Sequence, residues 1–149
     1  MIKTIMPLII LSAFAACSVL TLQPANFAWP IESVLPVSDE GMVLEERYSI
    51  EFNAVTLFYE EFQDSSAYNG NSVRMIRDNG GYYYITAAKF KNVYVFRDEE
   101  GALVLHNKIF ISEPGVEDPA FNQRAPYIEL MDKDKKLNLT NEGVEGGNK

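Results

Sequence analysis

Residues 72–88 constrain this chain more than any other stretch. SVRMIR (72–77), DNGG (78–81) and YYYITAA (82–88) set two runs of β-branched and aromatic residues either side of a turn. Asn79-Gly80 supplies the pair of positive φ values that a tight hairpin turn needs. The same grammar repeats. FKNVYVFR (90–97), DEEG (98–101) and ALVLHNKIFIS (102–112) form a second hairpin, with Gly101 suited to a longer bulged loop. YIELMD (127–132), KDKK and LNLT (137–140) form a third. In LEERYSIEFN (44–53), Tyr48, Ile50 and Phe52 alternate with Ser49, Glu51 and Asn53, as in a half-buried strand. The chain is thus expected to be mainly β, a small antiparallel β-sandwich or barrel built from hairpins. Its 149 residues fit one such domain, placed at 41–140.

The segment AVTLFYEEFQ (54–63) reads two ways. Val55, Phe58, Tyr59 and Phe62 sit at i, i+3, i+4, i+7, and Asn53 stands where a cap belongs, which predicts a short helix. Its Val, Thr, Phe and Tyr favour a strand. DSSAYNGNS (64–72) is a loop by composition, and SEPGVEDP and NQRAP break the chain at Pro114, Pro119 and Pro126. The tail at 141–149 is expected to be disordered, since it is charged and glycine-rich. VYVFRDEEGALVL (93–105) resembles a hairpin of a β-propeller blade, but about 110 ordered residues cannot supply four blades of roughly 40 residues.

The N-terminus has a different character. Lys3 precedes twelve mostly apolar residues, Ile5 to Ala16, which end in small side chains. This is the layout of a secretory signal, and it is too short to cross about 30 Å of hydrocarbon as a helix. Two cleavage patterns compete. Ala13-Phe14-Ala15 fits ordinary signal peptidase and would release a plain secreted β-domain protein. Phe14-Ala15-Ala16-Cys17 resembles the lipobox of bacterial lipoproteins, with Phe14 standing where that family usually has Leu. Cys17 is the chain's one cysteine, so it cannot close an internal disulfide, and this favours the lipobox. The resemblance covers residues 1–18. It implies a signal peptide at 1–16, diacylglycerol on the Cys17 sulfur and, with Ser18 next, sorting to the outer membrane in a Gram-negative host.

Residues 17–40 are expected to be a lipidated cysteine followed by an extended tether. Pro24, Pro30 and Pro36 forbid a long helix there. Fully extended, residues 18–40 would span up to about 75 Å. Phe27, Trp29, Ile31, Val34 and Leu35 are too apolar for a plain tether. They are expected to pack along the domain or to bind a partner.

A formal charge of −8 disfavours nucleic acid and any electrostatic grip on anionic lipid. Reactive patterns are scarce. The one histidine, His106, sits on the polar phase of a strand. Asp132-Lys133-Asp134 begins like a calcium loop but continues with Lys136 and Leu137 where an oxygen ligand and glycine belong. Glu45-Glu46, Glu60-Glu61 and Asp98-Glu99-Glu100 offer carboxylates for a hydrolase, with no spacing that makes a pair converge. No metal or cofactor pattern appears. The candidate contacts are aromatic: Tyr82, Tyr84 and Tyr94 on a sheet face, with Phe27 and Trp29 before it. Two functions follow as expectations. One is a non-enzymatic, lipid-anchored envelope protein mediating protein–protein contact or assembly; the other is a small-ligand or glycan-binding lipoprotein using an aromatic sheet face.

Overall fold

The computed structural model describes residues 27–146; the expected signal peptide, Cys17 and Ser18 lie outside them. Eleven strands and one helix follow in order. They are β1 (Ser33–Pro36), β2 (Met42–Glu45), β3 (Ile50–Asn53), α1 (Val55–Phe62), β4 (Ser72–Arg77), β5 (Tyr82–Ala87), β6 (Asn92–Glu99), β7 (Ala102–Phe110), β8 (Pro119–Arg124), β9 (Tyr127–Asp132), β10 (Lys135–Thr140) and β11 (Gly143–Val144). The strand pairings among the described residues are all antiparallel: a five-stranded sheet β1-β4-β5-β6-β7, a four-stranded sheet β11-β10-β9-β8, and the hairpin β2-β3. The described residues are mainly β and sandwich-like, with one short helix and no closed barrel among them.

The five-stranded sheet is the middle layer, which is why apolar residues crowd both phases of its central strands. Ile76, Tyr83, Tyr84, Ile85, Val93, Tyr94 and Val95 are all buried. On one face, Tyr83, Ile85 and Tyr94 lie under α1 and the β2–β3 hairpin, and Lys108 on that face pairs with Glu60 of the helix. On the other, Tyr84, Ile76 and Val95 look toward the four-stranded sheet, whose Phe121, Ile128, Leu130 and Leu139 complete the core. A strand buried on both sides loses the polar alternation of a half-buried one.

Several sequence expectations change. LEERYSIEFN is not one strand: β2 and β3 fold back through a turn at 46–49, where Ser49 takes φ 55°. The helix forms, and Asn53 Oδ1 accepts the Val55 N–H at 2.9 Å, although Ala54 rather than Asn53 is the N-cap. The two central hairpins exchange turn types. In DNGG the positive φ falls on Gly81, with Gly81 N–H bonded to Asp78 O and Asp78 N–H to Tyr82 O. In DEEG, Glu99 pairs directly with Ala102, and Glu100 and Gly101 (φ 53° and 80°) make the tight two-residue turn.

Pro119 and Asn122 to Arg124, read as parts of two breaks, belong to strand β8, with Pro119 at its first position, where a missing N–H is tolerated. It turns into β9 through a cis Ala125–Pro126 bond. The body begins at Phe27 rather than at residue 41. Trp29 and Leu35 are buried, Trp29 backbone N–H donates to Arg77 O, and β1 pairs along β4, so residues 27–40 pack along the domain, as their apolar side chains predict. Of the tail expected to be disordered at 141–149, the described part, 141–146, is held in place: β11 pairs with β10, and Glu145 N–H reaches Asn138 O.

Candidate functional site

Three of the five aromatic candidates lie inside the core and present no face to an external ligand. Tyr84 is buried, and its hydroxyl donates to Asp78 Oδ2 at 2.9 Å. Tyr94 is buried, and its hydroxyl donates to Glu61 Oε1 at 2.9 Å; the same carboxylate accepts the Lys91 N–H and Asn92 Nδ2. Burial, reinforced by the neighbouring carboxylate, pushes both phenols far above their ordinary value. Trp29 stacks on Tyr48, with centroids 4.2 Å apart and an 11° tilt, and meets Tyr83 edge-on. The expected aromatic sheet face is therefore an interior one, because both faces of the sheet are covered.

Phe27 and Tyr82 remain accessible, in different places. Tyr82 is half-buried, 4.8 Å from the His106 ring. His106 is the extra residue of a β-bulge, since Val95 pairs with Asn107 and Phe96 with Leu105. It meets Asn141 Nδ2 at 3.3 Å and the Glu142 carboxylate at 3.8 Å. Phe27 stands at the rim of an aromatic cleft.

That cleft was missed from sequence. It holds about 780 Å³ between the β2–β3 hairpin and the β6–β7 hairpin. Tyr83 and Arg77 lie at its base, Tyr48 and Phe52 line one wall, and Leu103 lines the other. The guanidinium of Arg77 lies over the rings of Phe27 (5.5 Å) and Tyr83 (5.3 Å), and its Nη1 donates to Phe27 O at 2.8 Å. Arg47 covers the Tyr48 ring at 5.4 Å and bonds Glu45 and Ser33. Its bond to Glu45 raises Arg47 above the ordinary guanidinium value. Such a site offers apolar surface with polar groups at the margin, from Ser49, Glu51 and Asp98.

The cleft runs into an open sheet edge. β7 is the last strand of its sheet, and its Val104 and Leu105 are exposed. The tight turn makes Glu99–Ala102 a bonded pair, so alternation points the backbone groups of Leu103 and Leu105 away from the sheet. Further along, the bulge and a bond from Lys108 N–H to Asn107 Oδ1 protect the edge.

Several of the acidic groups hold local structure. Glu45 is buried against Arg47, Asp98 accepts the Gly101 N–H, and Asp132 Oδ1 accepts the Glu117 and Asp118 N–H groups. Lys133 pairs with Glu117, so the calcium-like DKD stretch is a charged hairpin turn. Among the described residues, no three His, Cys, Asp or Glu side chains group as metal ligands. Compared with protein families, with characterised proteins and with solved structures, the chain matches none.

Proposed function

We propose that this chain is an exported protein, lipidated at Cys17 and held at the bacterial envelope, where it contacts a protein partner without doing chemistry of its own. The observation that supports the contact is the cleft whose far wall is the open stretch of β7. An extended partner segment adding to Leu103–Leu105 would make main-chain bonds, while one apolar side chain entered between Tyr48, Phe52 and Leu103. The lipobox-like FAAC supports the placement. Two acyl chains, at about 0.8 kcal/mol per buried methylene, anchor a protein stably where one does not.

The test is photo-cross-linking in intact cells, with the reactive residue placed at Leu103, Phe52 or, as a control, Tyr59 on α1. Cross-links to one envelope protein from the first two positions and not the third are expected. A second reading, a glycan or small-ligand site, rests on the polar margin of the same cleft. Retention of such a ligand by the purified protein, with no protein cross-link, would replace the first reading with the second. Intact mass of membrane-extracted protein decides lipidation separately.

A further inference from the structure

We propose that the β1 edge of the body, through Ile31, Val34 and Leu44, rests on the lipid bilayer itself; this builds on the lipidation of Cys17 proposed above. Length comes first. The part of the 18–40 segment from Phe27 onward is no tether, because Phe27 and Trp29 are fixed to the body by Arg77. Ten peptide links separate Cys17 from Phe27, and at no more than about 3.3–3.6 Å each they hold that point within about 35 Å of the acylated sulfur. Ile31 and Val34 follow within seven residues of it.

Surface chemistry comes second. Among the described residues, nine large apolar side chains are exposed, and the three most exposed apart from Phe110 are Ile31 (63%), Val34 (52%) and Leu44 (52%). Val34 and Leu44 line one open groove with Pro36 and Met42. Two of the carboxylates there are neutralised: Glu32 binds Arg74 at 2.5 Å and accepts the Phe121 N–H, and Glu45 binds Arg47 at 2.6 Å. Glu46 keeps its exposed position, so the fit is to a zwitterionic surface rather than an anionic one.

Geometry comes third. β1 and β7 are opposite edges of one five-stranded sheet, four strand spacings or about 19 Å apart. With β1 against the bilayer, the open edge of β7 is turned away from it.

The native cysteine is consumed by its thioether in the lipidated protein, so a substituted cysteine is a unique labelling position. Mature lipidated Ile31→Cys, Val34→Cys and Leu105→Cys variants would carry a nitroxide in phosphatidylcholine vesicles. Collision rates would be read against oxygen, which partitions into lipid, and a water-soluble nickel complex. The expected result is nickel access severalfold lower at 31 and 34 than at 105, with higher oxygen access, and loss of the contrast in detergent. Equal nickel access at all three, on protein whose mass shows acylated Cys17, overturns the inference while leaving the anchor intact. Dipolar broadening at 31 and 34 overturns it in favour of a second copy on that edge. A mass without acyl chains removes both this inference and the anchor.

Discussion

The two outer edges of the five-stranded sheet are finished in opposite ways. The β1 side is stitched to the second sheet by a backbone bridge, Ile31 to Asn122, and by two bonds between side chain and main chain: Phe121 N–H donates to Glu32 Oε2 at 2.8 Å, and Gln123 Nε2 donates to Arg77 O at 2.5 Å. The β7 side meets the turn between β10 and β11 through side chains, by Asn107 Nδ2 on Asn141 O at 3.0 Å and the His106–Asn141 contact. A seam that includes a backbone bridge is fixed in register, whereas one held by side chains alone can part without breaking a ladder. The sandwich is therefore shut on the side where the chain enters and ajar on the other, and the candidate partner edge is on the side left ajar.

The largest test of that contrast removes one large side chain from each edge. Trp29→Ala takes out a buried ring that stacks on Tyr48, and the expected cost is about 3–5 kcal/mol. Leu105→Ala, at an exposed position, should cost no more than about 0.5 kcal/mol. Denaturant midpoints measure both. Similar losses at the two positions would mean that β7 is as firmly fixed as β1.

A second test asks whether both edges depend on the same centre. Tyr84 and Tyr94 have folded values raised above the unfolded value near 10, so the folded state favours their neutral form. Their stabilisation is complete below about pH 10 and is lost progressively above it, by about 1.4 kcal/mol per pH unit for each tyrosine that stays protonated. Alkaline titration followed by tyrosinate absorbance and circular dichroism should show the last phenols ionising together with unfolding. Tyr94→Phe should shallow that dependence. Ionisation of all phenols before any loss of structure would contradict the burial.

The turns that feed the two edges sharpen the comparison at smaller cost. Gly41, after β1, and Gly101, before β7, both have φ +80°. A Cβ on Gly41 would meet Val55 Cγ2 at 2.1 Å, while one on Gly101 meets nothing within 4 Å. Gly101→Ala should therefore cost the conformational strain alone, about 1–2 kcal/mol. Gly41→Ala should add about 1–3 kcal/mol of crowding, unless Val55 rotates away freely. Thermal unfolding of the pair separates strain from packing.

What the sequence made legible was alternation, and what it hid was register. The hairpins of β4–β5 and β6–β7 could be read because strand-forming runs flank unmistakable turn residues. Which residue of each turn takes positive φ could not, because strand pairing decides it. Asp78 Oδ1 accepts the Tyr82 N–H and carries the turn one residue past Asn79-Gly80, whereas Glu99–Ala102 pairing forces Glu100 into a left-handed conformation. β8 was hidden because only Phe121 in PAFNQR looks like a strand former. The cleft was hidden for a related reason. Tyr48, Arg77 and Leu103 come from three hairpins, and a tyrosine whose partner is Trp29 looks the same in sequence as one that faces water.

The smallest effect on stability carries the sharpest functional consequence. Leu105→Lys places a charge on an exposed edge position whose backbone groups point away from the sheet, so folding should change by no more than about 0.5 kcal/mol. A charged side chain there is the device by which natural edge strands refuse a further strand. If the open edge is where a partner adds, the substitution should abolish cross-linking from Leu103 while leaving circular dichroism and the unfolding midpoint unchanged. Leu44→Lys, on the opposite side, should leave that cross-link in place. Retention of the cross-link in Leu105→Lys would mean that the cleft alone holds the partner and that the edge of β7, though open, is not used.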